Sequence, residues 1–326
     1  VSAAREWHLF DTELFARFKI VKQFADLSPG LLQVISRELA PFAAAGVLGE
    51  AHTYTWRSPD AMLSSVIDHR FGDAMEQAHA WQATLDPEAV VFTTHPAKDL
   101  KPTLDWGNDS AYWTGTASMP RSAQAGRAAI HIYRPSYASP TDPLLGPIFS
   151  YQPFTHAFFP QDRFDEVVEQ DGWVMGRRGD GYVALWSERP THWRTYDTAT
   201  YATGGHTLPF DLIADGGADN VWIAEVGRSA DHGSFAAFVA AITAEVPTVE
   251  RSGGEISVRY ASPTEGELRF GTDGGFTVAG VDRGLRDHPR HSSPWAEQCA
   301  HGRGFDISEG GARLELNFET GGRRVT

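Results

Sequence analysis

The sequence has only one cysteine, Cys299, among its 326 residues. A single cysteine excludes an intrachain disulfide and any CxxC-type pair. No apolar run approaches the roughly 20 residues that a membrane-spanning helix needs, so we expect no membrane as a partner. The first residues, VSAAREWHLF, are charged and aromatic at once and do not have the pattern of a signal peptide.

Positive charge is also scarce. The chain has 28 Lys and Arg against 42 Asp and Glu, a net charge of −14. It therefore lacks the basic footprint that nucleic-acid binding requires, and an anionic ligand would need a local basic or amide-rich pocket. HExxH, Walker and GxSxG motifs are absent, which argues against a zinc protease, a nucleotide enzyme and a serine hydrolase.

Short segments rich in β-forming residues dominate the chain after about residue 49. Examples are HTYTWR, RAAIHIYR, GYVALWSE and ARLELNFE, with Gly, Asp, Asn and Pro between them. This pattern predicts a mainly β fold over residues 49–326, a large antiparallel β-sandwich of stacked sheets. Hairpin turns are predicted at Asp180–Gly181 and Gly310–Gly311.

Helical patterns occupy two parts of the sequence. Residues 1–48 have apolar side chains at helical spacing, which predicts a few α-helices that form the end of a larger helical module. A single helix is predicted within the β domain near residues 234–246, with Ser234 as its N-cap.

The segment DAMEQAHAWQATL, residues 73–85, combines polar and aromatic side chains between two predicted strands. If it is extended, Gln77, His79 and Trp81 share one face by the two-residue period of a strand. That face would offer an amide, an imidazole and an aromatic ring, a combination suited to binding a sugar. Glu76 and Gln82 would lie on the opposite face.

Several histidines fall on successive predicted strands, His69, His79 and His95 among them. Two functional interpretations remain open. The imidazoles could bind a metal together with Asp68 or Glu76, or one of them could transfer protons near neutral pH. The alternative is that each histidine forms local hydrogen bonds. We predict no cofactor, and a structural divalent metal on His69 and His95 is the competing expectation.

Two further groups are candidates for substrate binding because they combine aromatic rings with polar side chains. In YQPFTHAFFP, His156 shares a strand face with Phe154 and Phe158. The other group occupies a predicted loop and consists of Trp106, Asn108, Tyr112, Trp113 and Arg121.

The order of these parts resembles the polysaccharide lyases that join an (α/α) toroid to a β-sandwich, the heparinase II/III-like and chondroitin/hyaluronate-lyase-like groups. The resemblance covers about residues 40 to 320. It rests on Tyr54-Thr55-Trp56-Arg57, on Ser64-Ser65 and on the later THAFFPQDRFDEV…GWVMGRRGDGYVALWS. It implies that this chain corresponds to the C-terminal sheet domain of such an enzyme.

The resemblance implies β-elimination at a uronic acid of an acidic polysaccharide. Gln77 and Arg57 would neutralise the substrate carboxylate, His79 would transfer the proton or contact the carboxylate, and Trp81 would stack on the sugar. It further implies an N-terminal helical toroid, on the same or a separate polypeptide, and a secreted or periplasmic location. The alternatives are a non-catalytic glycan-binding or structural β-sandwich, and a glycoside hydrolase that uses Glu76 with Asp68.

Overall fold

The computed structural model describes residues 51–69, 71–72, 79–99, 112–113, 117–135, 152–196, 205–285, 291–293, 297–298, 304–317 and 320–326. The predicted helical segment, residues 1–48, lies outside these ranges. Within them the chain is mainly β, and its antiparallel sheets stack in layers as the sequence predicts. No helix in the described part is long and apolar enough to cross a membrane.

The first layer is a seven-stranded sheet with the spatial order β1-β2-β3-β4-β7-β12-β11. Its strands are β1 (His52–Arg57), β2 (Met62–Ile67), β3 (Trp81–Thr84), β4 (Val90–Thr94), β7 (Thr155–Phe158), β11 (Thr191–Arg194) and β12 (Asp211–Ala214). The first four strands are neighbours in sequence, whereas the last three come from much later in the chain. The sheet therefore brings distant parts of the sequence onto one surface.

A six-stranded sheet forms the central layer, in the order β5-β6-β13-β10-β9-β8. Its strands are β5 (Arg121–Ala125), β6 (Ala128–Tyr133), β8 (Glu166–Gln170), β9 (Trp173–Arg178), β10 (Gly181–Ser187) and β13 (Asn220–Arg228). Every residue of β6 and β10 is buried. Strands that are covered on both faces need apolar side chains on both sides, which explains the continuous apolar runs in these segments.

Two hydrophobic cores hold the layers together. The first lies between the seven-stranded and central sheets and includes Leu63, Trp81, Val91, Leu185 and Trp222. The second covers the other face of the central sheet, where its side chains meet a five-stranded sheet and a helix. That outer sheet consists of β14 (Thr248–Ser252), β15 (Glu255–Ser262), β16 (Gly266–Gly271), β17 (Phe276–Val278) and β18 (Val281–Asp282).

The predicted helix is observed as α2 (Phe235–Ile242), directly after the short α1 (Ser229–His232). Ser234 caps α2 by accepting a hydrogen bond from the Ala237 amide at 3.2 Å, an interaction that stabilises a helix by about 1 kcal/mol. The helix ends four residues earlier than predicted. Its buried side chains stop at Ile242, and Val246 is exposed, so a longer helix would bury nothing more.

Glycine determines where the hairpins turn. Gly310 and Gly311 both have positive φ and connect β21 (Gly304–Glu309) to β22 (Ala312–Asn317), as predicted. The turn between β9 and β10 lies at Gly179–Asp180, one residue before the predicted position, because Gly179 supplies the positive φ of +57°. The remaining elements are β23 (Gly322–Val325), β19 (His291–Ser292), β20 (Glu297–Gln298) and a 3₁₀ turn (Gln161–Arg163).

Candidate functional site

The outer face of the seven-stranded sheet carries a row of functional side chains. Phe92 on β4 lies opposite Phe158 on β7, which lies opposite Asp211 on β12, which lies opposite Arg194 on β11. Directly paired residues of an antiparallel sheet project from the same side. The row therefore points away from the core, while the alternate residues of these strands pack between the sheets.

Asp211 is the centre of a buried hydrogen-bond network on this face. Its Oδ1 accepts a hydrogen bond from His156 Nδ1 at 2.7 Å. Its Oδ2 accepts from the phenol of Tyr112 at 2.5 Å and from the phenol of Tyr196. The side chains of His156 and Asp211 are both 0% exposed. One carboxylate thus ties together three separate segments of the chain.

Both ring nitrogens of His156 face acceptors. Nδ1 meets the Asp211 carboxylate, and Nε2 lies 2.8 Å from the backbone carbonyl of Tyr112 and 2.7 Å from Thr94 Oγ1. A ring with a proton on each nitrogen satisfies all of these acceptors, so the arrangement fits an imidazolium paired with Asp211. With both nitrogens occupied, His156 holds the site together and offers no open nitrogen to a substrate.

The two phenols and Arg194 complete the network. Burial, followed by the charge of Asp211, raises the pKa of Tyr112 and of Tyr196, so both phenols keep their protons at neutral pH. Arg194 Nη1 donates to the Tyr112 oxygen at 2.7 Å, and its Nη2 donates to Asp99 at 3.0 Å. Arg194 keeps partial contact with solvent, at 30% side-chain exposure.

His79 lies beside this network with one nitrogen open. Its Nε2 is 3.0 Å from the carbonyl of Trp113, and its ring stacks on Phe92 at 3.7 Å between centroids. Donation from Nε2–H to the carbonyl leaves a lone pair on Nδ1, for which the described residues provide no partner. Burial lowers the pKa of His79, opposed by the weaker effect of the Trp113 hydrogen bond. The imidazole is therefore neutral near pH 7 and can accept a proton.

Five aromatic rings, which we call the aromatic wall, cover the centre of this face. They are Phe92, Trp113, Phe158, Tyr196 and Phe210. Three of the five keep partial solvent contact, Trp113, Phe158 and Tyr196. Partly exposed rings supported by buried ones provide a stable apolar surface against which a flat ligand can stack.

The structure separates two residues that the sequence placed on one strand face. Strand β3 begins at Trp81, and the chain bends at Ala80, so the two-residue period does not extend back to His79. His79 contacts the outer face, whereas Trp81 points into the core, donates to Thr93 Oγ1 at 2.7 Å and is 1% exposed. The predicted shared face is therefore wrong for this pair, and protein atoms cover the Trp81 ring. Gln77 lies outside the described residues.

Neither of the arginines singled out from the sequence lies at the aromatic wall. Arg57 projects from the outer face of edge strand β1, three strands from Phe92 and roughly 14 Å away at normal strand spacing. Arg121 Nε donates to Asp68 at 2.6 Å, and its Nη1 donates to the Thr272 carbonyl. Arg121 therefore joins the end of β2 to the five-stranded sheet, and the same contact occupies Asp68.

The histidines considered as metal ligands are dispersed. His95 is fully buried, and its Nε2 lies 2.9 Å from the Gln152 carbonyl. Burial lowers the pKa of His95 to about 4, so its ring is neutral. His69 is half-buried after β2. Among the described residues, no cluster of three or more His, Cys, Asp or Glu side chains could hold a metal ion.

The predicted loop residues divide into two groups. Trp106 and Asn108 lie outside the described residues, as does Glu76 of the predicted glycosidase pair. Tyr112 and Trp113 lie against His156, with ring centroids 4.4 and 4.5 Å from the imidazole. The structure thus brings together three of the residues proposed from the sequence to bind substrate.

Sequence reasoning missed three of the polar groups on this face, Asp211, Arg194 and Tyr196. Each belongs to a segment that looks like an ordinary short strand or loop in the sequence. The pattern DLIA does place Asp211 opposite in phase to the core-facing Leu212. That alternation was the available signal, but it could not reveal which strand would lie beside β7.

Comparison of the sequence with models of known protein families finds no match, and a search of curated proteins finds none either.

Proposed function

We propose that this chain belongs to a carbohydrate-active enzyme, a polysaccharide lyase that cleaves a uronic-acid-containing glycan by β-elimination. The observation that carries the proposal is the neutral imidazole of His79, whose Nδ1 no described residue binds, beside the aromatic wall and the network of Asp211, Tyr112 and Arg194. This face therefore carries a candidate base, a cation and aromatic rings on which a sugar could stack. The aromatic wall is the proposed substrate surface.

The chemistry begins at the carbon α to the substrate carboxylate. Its proton becomes acidic enough to remove only when the charge developing on the carboxylate is stabilised. Arg194 is the group proposed for this role, in place of Arg57. Each arginine projects from a strand three positions away from β4, but the guanidinium of Arg194 reaches back to the site, where it donates to Tyr112 at 2.7 Å and lies 6.0 Å from the ring of Tyr196 in the aromatic wall. Gln77 remains a proposed helper. His79 Nδ1 then removes the proton, a step that contributes roughly 10² to 10⁴-fold to rate.

The proposed substrate is an acidic glycan, the class that the resemblance to polysaccharide lyases implies. The protein carries a net charge of −14, so an acidic glycan would bind through a local cation such as Arg194. Sugar rings would stack on the partly exposed Trp113 and Phe158. We further propose that an N-terminal helical toroid, on this or a separate polypeptide, closes the other side of the cleft, and that the enzyme acts outside the cytoplasm.

The test is the ultraviolet absorbance of the unsaturated uronate that β-elimination forms, measured with the full-length protein on uronic-acid glycans. We expect His79→Gln to lower kcat by about 10² to 10⁴-fold with an unchanged melting temperature, because glutamine can keep the hydrogen bond to the Trp113 carbonyl. His192→Gln is the control, since His192 is 53% exposed on β11.

Other outcomes would decide between the remaining functions. Binding of a glycan without any product would indicate the non-catalytic glycan-binding module. New reducing ends without the ultraviolet chromophore would indicate a glycoside hydrolase. Equal rates for His79→Gln and the unsubstituted protein would remove His79 from the mechanism.

A further inference from the structure

A second histidine borders the aromatic wall, and one of its ring nitrogens has no partner among the described residues. The ring of His206 lies 5.6 Å from that of Phe158 and 4.9 Å from that of Phe210, centroid to centroid. Tyr196 stacks on the same Phe210 at 5.1 Å. His206 therefore belongs to the same surface as the proposed substrate site, although it lies in a loop that the sequence did not single out.

Asp162 fixes the orientation of His206. His206 Nδ1 donates to Asp162 Oδ1 at 2.8 Å, and the two side chains are 13% and 10% exposed. Asp162 is itself held by the backbone amide of Thr207 at 2.8 Å. Although burial opposes it, the hydrogen bonds from Thr207 and His206 lower the pKa of Asp162, so the carboxylate stays charged.

This arrangement prepares Nε2 for proton transfer. A carboxylate on Nδ1–H fixes the tautomer and stabilises the ring when Nε2 carries a proton, as in the histidine of a catalytic triad. No described residue forms a hydrogen bond with Nε2 of His206. The contrast with His156 is clear, because both nitrogens of that ring already have partners.

The elimination needs an acid as well as a base, and the two phenols of the site are not free to act. The hydroxyls of Tyr112 and Tyr196 both donate to Asp211. Successive ring contacts connect His79 to His206 through Phe92 and Phe158, with centroid distances of 3.7, 5.2 and 5.6 Å. The two imidazoles also differ in environment, since the Trp113 carbonyl holds His79 and the Asp162 carboxylate holds His206.

We propose that His206, oriented by Asp162, is the second catalytic residue of this site and protonates the departing glycosidic oxygen. The inference rests on the proposed lyase function. His79 Nδ1 takes the α proton, the electrons of that C–H bond form the new carbon–carbon double bond, and the bond from the β carbon to oxygen breaks. His206 Nε2–H delivers its proton to that oxygen. The products are an unsaturated uronate and a free hydroxyl, and no other reactant is needed.

The experiment compares His206→Gln and Asp162→Asn with His192→Gln in the full-length protein. His192 forms the same kind of pair, with Asp215 at 2.5 Å, but both side chains are more than half exposed. We expect His206→Gln to lower kcat on a glycan by about 10² to 10⁴-fold and to abolish the decline of rate at high pH that deprotonation of an acid causes. Asp162→Asn should give a smaller loss, and His192→Gln none.

A substrate with a good leaving group separates catalysis from a structural role. A uronate that carries fluoride or a nitrophenolate at the β position needs no protonation to leave, so His206→Gln should eliminate it at nearly the unsubstituted rate. Equal loss on both substrates, or no loss on the glycan, overturns the role of His206. If the unsubstituted protein forms no unsaturated product from any uronate, the lyase function fails and this proposal fails with it.

Discussion

Asp211 and Glu225 are both completely buried carboxylates that accept three hydrogen bonds, yet their partners differ in charge. Asp211 receives an imidazole N–H and two phenolic hydroxyls. Glu225 receives three neutral hydroxyls, from Tyr260 at 2.5 Å, Thr264 at 2.9 Å and Ser262 at 3.0 Å. The comparison separates the effect of hydrogen bonding from the effect of a nearby positive charge.

The electrostatic consequences differ accordingly. Burial raises the pKa of Glu225 to about 7, even though the three hydroxyl hydrogen bonds act in the opposite direction. Dipoles alone therefore do not offset the loss of solvation at this site. Asp211 lies against the imidazolium that the acceptors around His156 favour, and a buried charge next to an opposite charge is compensated far better.

The two carboxylates also have different places in the fold. Asp211 faces outward from β12 and organises the proposed catalytic surface. Glu225 projects from β13 of the central sheet to Tyr260 and Ser262 on β15, so it fastens the five-stranded sheet to the central one. A buried carboxylate is therefore not in itself evidence of a site, and the accessible groups around it decide its role.

Replacing Asp211 should have the largest effect on stability. Asp211→Asn removes the negative charge and leaves the His156 imidazolium buried without a counter-ion, which we expect to lower the free energy of unfolding by about 3 to 5 kcal/mol. Denaturant unfolding near pH 7 measures the change. Asp215→Asn provides the control, because its pair with His192 is exposed and should contribute less than about 1 kcal/mol. Equal effects of the two variants would contradict the buried ion pair.

Glu225 should make stability depend on pH. Its carboxyl group has a pKa of about 7 when folded, against 4.5 for an ordinary glutamate, so the folded protein holds this proton more tightly. Its contribution to stability is complete below pH 4.5 and is lost as the pH rises through 7, a change on the order of 3 kcal/mol. Glu225→Gln cannot titrate, and its stability should vary less across this interval.

The measurement is urea unfolding of both proteins at several pH values between 4 and 8. The difference in unfolding free energy between Glu225→Gln and the unsubstituted protein should change with pH, most steeply between 4.5 and 7. A difference that stays constant would show that Glu225 does not titrate in this range.

Local sequence patterns predicted the fold well because they act over a few residues. The two-residue period of the strands, Gly310–Gly311 and the Ser234 cap each depend on near neighbours, and the structure has the corresponding elements. The candidate site depends on sheet order instead. Asp211 meets His156 because β12 pairs with β7, and no local pattern encodes that choice of neighbour.

The placement of His79 and Trp81 on opposite sides of the sheet has a similar cause. Their spacing of two residues gives a shared face only if the strand is continuous, and the bend at Ala80 breaks it. The packing of Trp81 against His131, at 4.7 Å between ring centroids, keeps that indole between the two sheets. A tertiary contact therefore overrode a correct local rule.

The smallest expected effects come from removing one phenol from each carboxylate. Tyr260→Phe deletes a donor to Glu225 where no water can replace it, because Tyr260 is 1% exposed. A hydrogen bond to a charged group contributes about 1.5 to 3 kcal/mol, so we expect a loss of this size above pH 7, together with a higher pKa of Glu225.

Tyr196→Phe should cost only about 0.5 to 1.5 kcal/mol, because Tyr196 is half-buried and His156 and Tyr112 remain on Asp211. Urea unfolding at pH 8 compares the two variants directly. Each variant removes one of three hydrogen bonds, so equal losses would show that hydrogen-bond number rather than the charge of the remaining partners governs the stability of these carboxylates. A larger loss for Tyr196→Phe would contradict the comparison.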